Sequence, residues 1–182
     1  MNKPTGYDEA TAFTGEFKSV TPGGHICKIL GAKSEQSKSG KEQLVIMFDI
    51  AEGPDKGFYM DQFKRKQESN ADAKWQGLYR QLTEGDSTKF FKGMITAIEK
   101  SNDGYKWDWK EESLKGKLFG GVFGQEEYEK QDGSIGVSTK CRFIRSVEQI
   151  RKGVEAPEIK RLKLADNAFG GSVIPEEDVP WA

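Results

Sequence analysis

Apolar and polar residues alternate along two stretches in the first third of the chain. Every second residue is apolar in residues 43–51, which is the period that places side chains on one face of a β-strand. Residues 25–32 show the same alternation. Turn-forming glycines and prolines bound this region at residues 21–24 and 53–57. The pattern predicts strands over 25–32 and 43–51, joined by the polar loop 33–41.

The rest of the body alternates between strand and helix periods. Residues 58–66 follow a glycine turn and predict a third strand, whereas residues 72–82 and 88–100 carry apolar residues at helical spacing. Residues 114–129 and 135–147 predict the fourth and fifth strands. Four glycines in 114–129 indicate sharp coiling, a bulge or the close approach of a ligand. One helical turn at 147–152 ends the body.

This order predicts a mainly β fold with a helical insertion. We expect a five-stranded OB-type barrel with two short helices between strands three and four, and a disordered C-terminal tail. An SH3-like barrel or a small sandwich is the alternative. The expected organisation is an N-terminal arm over residues 1–20, an OB-like nucleic-acid-binding domain over 21–154, and a flexible linker with an acidic tip over 155–182.

The last residues of the chain have an unusual order of acidic, apolar and aromatic side chains. Three acids precede an apolar residue, a proline and an aromatic residue, in the order Glu176, Glu177, Asp178, Val179, Pro180 and Trp181. A segment of this kind suits a partner protein with basic walls and an apolar pocket. Four acids and no bases follow residue 165, so residues 1–165 hold 28 bases and 25 acids, a net charge of +3. The sequence therefore predicts a mildly basic body with a partner-binding acidic tip.

Composition argues against several classes of protein. The two cysteines, Cys27 and Cys141, are far apart and His25 is the only histidine, so neither a zinc site nor a histidine-based triad is expected. No phosphate-loop, GxSxG or HExxH motif is present. No apolar stretch approaches about 18 residues. We expect a cytoplasmic protein without enzymatic activity, metal, cofactor or membrane contact.

Basic and aromatic residues are interleaved at several places, as single-stranded DNA binding requires. Phosphates need cations and unpaired bases need rings on which to stack. Of Phe58, Tyr59 and Phe63, at least one is expected in the core. Trp107 and Trp109 share a strand face and suit either a base or the helical insertion. The predicted DNA-binding residues are Lys33, Lys38, Lys41, Tyr59, Phe63, Lys64, Arg65, Lys66, Trp107, Trp109, Lys140 and Arg142.

Residues 24–63 resemble a group of phage and prophage single-stranded DNA-binding proteins. The resemblance rests on the run SKSGKEQLVIMFDIAEGPDKGFYMDQF, on the glycine-rich fourth strand and on the acidic tip. It implies an OB fold and a tip that recruits replication and repair proteins. In that family a phenylalanine usually carries the terminal carboxylate, whereas here Trp181 takes its position and Ala182 follows.

Two hypotheses of different classes follow. The first is a sequence-nonspecific single-stranded DNA-binding protein that acts in phage DNA replication or recombination and recruits partners through its tip. The second is a β-barrel adaptor between proteins that binds no nucleic acid, and a small hydrolase is a weaker third. Both of the first two allow a homo-oligomer.

Overall fold

The described part of the chain, residues 3–8 and 18–162 of a computed structural model, is mainly β-structure. Five strands form one antiparallel sheet in the order β3-β2-β1-β4-β5. The strands are β1 (Gly23–Gln36), β2 (Glu42–Ile50), β3 (Leu78–Leu82), β4 (Leu118–Glu129) and β5 (Ile135–Arg145). The α-helices are α1 (Phe58–Ser69), α2 (Thr88–Lys100) and α3 (Val147–Arg151), with 3-10 turns at Gly85–Ser87 and Glu111–Leu114.

The apolar face of β2 forms the centre of the core. Leu44, Ile46, Phe48 and Ile50 are all buried, as the period-two pattern predicts. Phe48 meets aromatic rings edge-on, with ring centroids at 5.4 Å from both Tyr59 and Phe119. The apolar stripe of α2, including Met94 and Ile98, is buried in the same cluster. The predictions of β2 and α2 are therefore confirmed.

The first hairpin is longer than the sequence pattern predicts. β1 continues to Gln36, which pairs with Glu42, so only residues 37–41 form the turn. Cross-strand pairing extends the strand through polar residues that carry no apolar alternation. Lys33 therefore lies on a strand, and Lys38 and Lys41 lie at the turn.

The predicted third strand is wrong, because residues 58–69 form helix α1. The carboxylate of Asp49, on β2, accepts hydrogen bonds from the first-turn amides of Tyr59 (3.0 Å) and Met60 (3.1 Å). These are amides that a helix leaves without an internal partner. Gly57 enters the helix with a φ of 74°, a conformation that glycine adopts easily. The helix also allows the adjacent Phe58 and Tyr59 to be buried together.

The predicted helix over 72–82 is also wrong, because its second half is strand β3. Leu78 pairs with Met47 and Leu82 pairs with Gln43 of β2. The indole of Trp75 donates to the carbonyl oxygens of Phe48 (3.1 Å) and Gly77 (3.2 Å). These long-range contacts to β2 override the local helical spacing. One α-helix, α2, rather than two, separates β3 from β4 in the described chain.

A bulge, one of the predicted alternatives, occurs among the glycines of β4, and these glycines also allow close packing. The register shifts between Val122 and Phe123, which marks a bulge. A side chain at Gly120 would lie 2.3 Å from Ile150 of α3. The predicted turn at 147–152 is found as α3, which begins with a capping box between Ser146 and Gln149.

The sheet is not closed into a barrel. Within the described residues β3 and β5 are its two edge strands, and no hydrogen-bonded ladder joins them. The two edges nevertheless face each other, because residues of both line the same surface depressions. We call this gap between β3 and β5 the seam.

Candidate nucleic-acid interface

A groove of about 710 Å³ lies at one end of the seam, and we call it groove 1. Helix α1, the segment between α1 and β3, and the strands β3 and β5 form its walls. Four of its lining residues are cationic, namely Lys18, Lys74, Arg80 and Lys140. Four aromatic residues line it as well, and of these Phe58 and Tyr59 are buried whereas Trp75 and Tyr128 are at least partly exposed.

Long-range contacts to β2 fix the Trp75 wall of groove 1. The indole hydrogen bonds described above hold Trp75 against β2, and its ring packs on Phe63 of α1 with centroids 5.6 Å apart. A Cβ atom at Gly77 would lie 2.3 Å from the carbonyl oxygen of Phe48, so only glycine allows this close approach. The wall is therefore built by residues that the chain brings together from three separate segments.

The opposite wall is the β4–β5 hairpin. Tyr128 on β4 is 42% exposed and Val137 on β5 is 51% exposed. Both side chains present apolar surface to the groove. Lys140 pairs with Glu126 (3.3 Å), which also binds Lys160 (2.8 Å). The hydrogen bond from Lys160 is the main cause that holds the pKa of Glu126 below its usual value. The backbone of Lys160 also forms a parallel β-bridge with Glu126 of β4. The ion pair and the β-bridge together hold the segment around Lys160 against the β4–β5 hairpin.

Residues 18–20 form the third wall, and Asp55 anchors this segment through the following residue, Thr21. The buried Asp55 carboxylate accepts hydrogen bonds from the backbone amide (3.0 Å) and the hydroxyl (2.7 Å) of Thr21. Burial alone would raise the pKa of Asp55, but the Thr21 hydrogen bonds, His25 and Lys18 outweigh it and lower that pKa. Val20 is buried in the core, so this end of the predicted N-terminal arm belongs to the body.

The charged residues that line groove 1 are all positive. No acidic side chain lines it among the described residues. Desolvation raises the pKa of the lining Cys141 thiol to about 12, so the thiol is neutral at pH 7. Lys74 and Arg80 have no carboxylate oxygen within 4 Å in the described chain, while Lys18 and Lys140 pair with acids behind the surface. Groove 1 therefore offers positive charge to an anionic ligand.

One polar atom of a residue that lines groove 1 is buried without a partner. The side-chain oxygen Oε1 of Gln62, on α1, is buried and accepts no hydrogen bond from the described residues. A buried acceptor without a partner costs about 1–3 kcal/mol. Gln62 is thus suited to accept a hydrogen bond from a ligand in the groove.

Three predicted cations on α1 border groove 1 rather than line it. Lys64 and Arg65 line an adjoining depression together with Lys18 and Asp61, and Lys66 lines another together with Lys74. Both depressions share a lysine with groove 1. The predicted cluster is therefore adjacent to the groove, although it lies on a helix instead of a strand.

The predicted lysines of the first hairpin lie elsewhere. The depression next to this hairpin is lined by three glutamates, Glu35, Glu42 and Glu84, and Lys33 pairs directly with Glu35. Lys38 and Lys41 are exposed in the turn beside it. An acidic depression repels phosphate, so the structure does not join these three lysines to groove 1.

The two predicted tryptophans form a separate aromatic pair. Trp107 packs edge-on against Phe91 of α2 at 5.9 Å and donates from its indole to the carbonyl oxygen of Lys110 at 3.0 Å. Trp109 rests on Trp107 at 4.8 Å, is 75% exposed and adopts a φ of 63°. Neither residue lines groove 1. Trp107 therefore supports the core, and only Trp109 offers an exposed ring.

Two other predicted residues change place in the structure. Tyr59 borders groove 1 but is 6% exposed and packs in the core, so little of its ring is accessible for the predicted stacking on a base. Phe63 contacts Trp75 and supports the groove from behind. Arg142 lies farther along the seam, outside groove 1. The predicted tip, residues 176–181, lies outside the described residues.

Of the six cationic and accessible aromatic residues that line groove 1, only Lys140 is predicted from the sequence. Lys18, Lys74, Arg80, Trp75 and Tyr128 were not among the predicted site residues, because Trp75 was assigned to a helical apolar face. The adjacent pair Lys74-Trp75 is itself a basic-aromatic combination and was the available signal.

Comparison with known proteins leaves the chain unassigned. No protein-family model matches it, and no curated protein is similar to it. Within residues 3–8 and 18–162, no cluster of three or more histidine, cysteine or acidic side chains is arranged to hold a metal ion. In the same part of the chain, no helix has the length and apolar character needed to cross a membrane.

Proposed function

We propose that the protein binds single-stranded DNA without sequence preference, and that groove 1 is its main binding surface. The observation that carries the proposal is the lining of groove 1, where four cations and the accessible rings of Trp75 and Tyr128 occur without an acid. Cations neutralise phosphates, and exposed rings stack on bases, which contributes about 1–3 kcal/mol per base.

The aromatic walls favour single strands over duplex. The face of a base is accessible to a ring only when that base is unpaired and unstacked. Trp75 and Tyr128 lie inside a cleft between a helix and a strand edge rather than on a wide concave surface. Gln62 accepts from any base that presents an N–H group, so it supplies little discrimination. Groove 1 thus supports binding of many sequences.

The strand order supports an OB-type architecture for this function. The strands lie in the sheet in the order β3-β2-β1-β4-β5. If β3 and β5 paired across the seam, this sheet would close into a five-stranded barrel. An OB fold is a five-stranded, partly open barrel that often binds oligonucleotides. We propose that the sheet is an OB-type barrel opened at the seam, with α2 packed against both strands that face it.

The proposal extends to partners on the strength of the sequence. The acidic tip, Glu176 to Trp181, would recruit proteins of phage DNA replication or recombination, with its acids on partner cations and Trp181 in an apolar pocket. This part of the proposal rests on the tip's residue order and on the resemblance stated above.

Titration with oligo-dT tests the proposed function directly. We expect tryptophan fluorescence to fall on binding, because Trp75 lines groove 1. The logarithm of the affinity should fall linearly with the logarithm of salt concentration, by about 0.7 for each phosphate contacted. The same measurement with duplex of equal length is the control. Unmeasurable binding at low salt, or equal binding of duplex, would favour the adaptor hypothesis instead.

Gln62→Leu separates binding from stability. Because Oε1 of Gln62 is buried without a partner, we expect the free energy of unfolding to stay unchanged or rise by about 1 kcal/mol. The affinity for oligo-dT should fall roughly threefold to tenfold, the value of one hydrogen bond. Gln67→Leu, on the exposed face of the same helix, is the matched control. Equal affinity in both variants would mean that Gln62 does not contact the strand.

A further inference from the structure

A second groove of about 500 Å³ lies at the other end of the seam, and we call it groove 2. Helix α2 and the edges of β3 and β5 form it, over a floor of buried side chains that includes Met94, Ala97 and Ile144. Its rim carries three cations and two phenylalanines, namely Lys89, Arg142, Arg145, Phe90 and Phe143.

The two phenylalanines of groove 2 are exposed although an apolar floor lies beside them. Phe90 is 61% exposed and Phe143 is 43% exposed. Each ring has a cation above it, since Lys89 Nζ lies 5.2 Å from the centre of Phe90 and Arg145 Cζ lies 5.7 Å from the centre of Phe143. A ring flanked by a cation matches a nucleotide, which presents a flat base next to a phosphate.

The charge of groove 2 is as one-sided as that of groove 1. No acidic residue lines it in the described chain, and none of its three cations has a carboxylate oxygen within 4 Å among residues 18–162. The Tyr79 hydroxyl, which also lines it, has its pKa raised to about 12 by desolvation and is neutral at pH 7. The groove therefore presents three cations without nearby compensation.

The two grooves meet along the same strand edges. On β5, groove 1 ends at Cys141 and groove 2 begins at Arg142. On β3 the two grooves take alternate residues, whose side chains point to opposite faces of the strand: Leu78 and Arg80 line groove 1, and Tyr79 and Gln81 line groove 2. From Val137 to Arg145 the β5 edge spans about 30 Å. The two basic grooves therefore adjoin along the β5 edge.

We propose that groove 2 is a second single-strand-binding site, which takes the segment of DNA that continues from groove 1 along the seam. Its cations bind phosphates, and Phe90 and Phe143 stack on bases. This inference rests on the proposed function and adds a site that the sequence did not indicate, since only Arg142 of its residues was predicted to bind DNA.

A charge series at Gly93 tests groove 2. Gly93 lies on α2 and lines the groove, and a Cβ atom there would meet no other atom within 4 Å. Gly93→Ala, Gly93→Lys and Gly93→Glu therefore change the groove without a clash, and all three should fold at least as stably as the original, because glycine is a poor helix residue. Circular dichroism checks the fold.

We expect the affinity of the full chain for an oligo-dT of about 16 nucleotides to rank Lys above Ala above Glu, with on the order of tenfold between Lys and Glu. An oligomer of about 4 nucleotides, too short to fill both grooves, should depend less on residue 93. Equal affinities for the long oligomer in all three variants would overturn the inference.

Two other outcomes separate the inference from its alternatives. If the original protein binds no oligo-dT, the proposed function fails and groove 2 fails with it. If the rank is reversed, with Glu above Ala above Lys, positive charge at groove 2 disfavours DNA binding. That result would overturn groove 2 as a DNA site while leaving groove 1 in place.

Discussion

Replacing Lys74 and Arg80 together with glutamine is expected to lower the affinity for oligo-dT by on the order of tenfold or more at low salt. Both cations line groove 1 and neither is paired with a carboxylate in the described chain, so phosphate would be their main anionic partner. The salt dependence should flatten by about 1.4, which is about 0.7 for each lost phosphate contact. Fluorescence anisotropy of a labelled oligomer across a salt series measures both.

The matched control is Lys38→Gln with Lys41→Gln. It removes the same net charge from the first hairpin, which borders the acidic depression rather than groove 1. We expect less than a twofold loss of affinity from this variant, and unchanged thermal unfolding in both, since all four side chains are exposed. Equal losses in the two double variants would show that binding follows overall charge and not the groove.

The sequence pattern predicted the strands and helices whose own residues carry the signal. In β2 and α2 the apolar period is continuous, so local spacing and burial agree. Between residues 58 and 82 the pattern failed, because contacts with β2 determine the structure there. Asp49 binds the first-turn amides of α1, and the Phe48 carbonyl receives the Trp75 indole. Neither partner can be recognised from spacing within the segment itself.

The candidate site was predictable in its chemistry but less so in its location. Interleaved cations and rings indicated single-strand binding, and Lys140 was predicted and does line groove 1. Lys18 is far in sequence from Lys74 and Arg80, and Lys140 of β5 meets them only because β3 and β5 face each other across the seam. Trp107, by contrast, has the right type for stacking but packs on Phe91 of α2.

Asp49→Ala is expected to lower the free energy of unfolding by about 2–3 kcal/mol, the largest stability effect we predict for a single polar side chain here. The carboxylate accepts from the amides of Ile50 (2.8 Å), Tyr59 (3.0 Å) and Met60 (3.1 Å). Asp49 is buried, so its loss leaves the buried amides of Ile50 and Tyr59 without this acceptor. Asp49→Asn keeps one acceptor oxygen and should cost less. Denaturant unfolding followed by circular dichroism measures both variants.

Asp61→Ala is the control for Asp49→Ala, because Asp61 is an exposed acid in the first turn of the same helix. Asp61→Ala removes only the favourable interaction of this carboxylate with the helix N-terminus, so the free energy of unfolding should fall by about 0.5 kcal/mol. A large difference between the two variants would show that Asp49 is what selects a helix over the strand that the sequence suggests for residues 58–66. Similar small losses would instead mean that burial of Phe58 and Tyr59 on one helical face is sufficient by itself, and that the β2 carboxylate only follows from it.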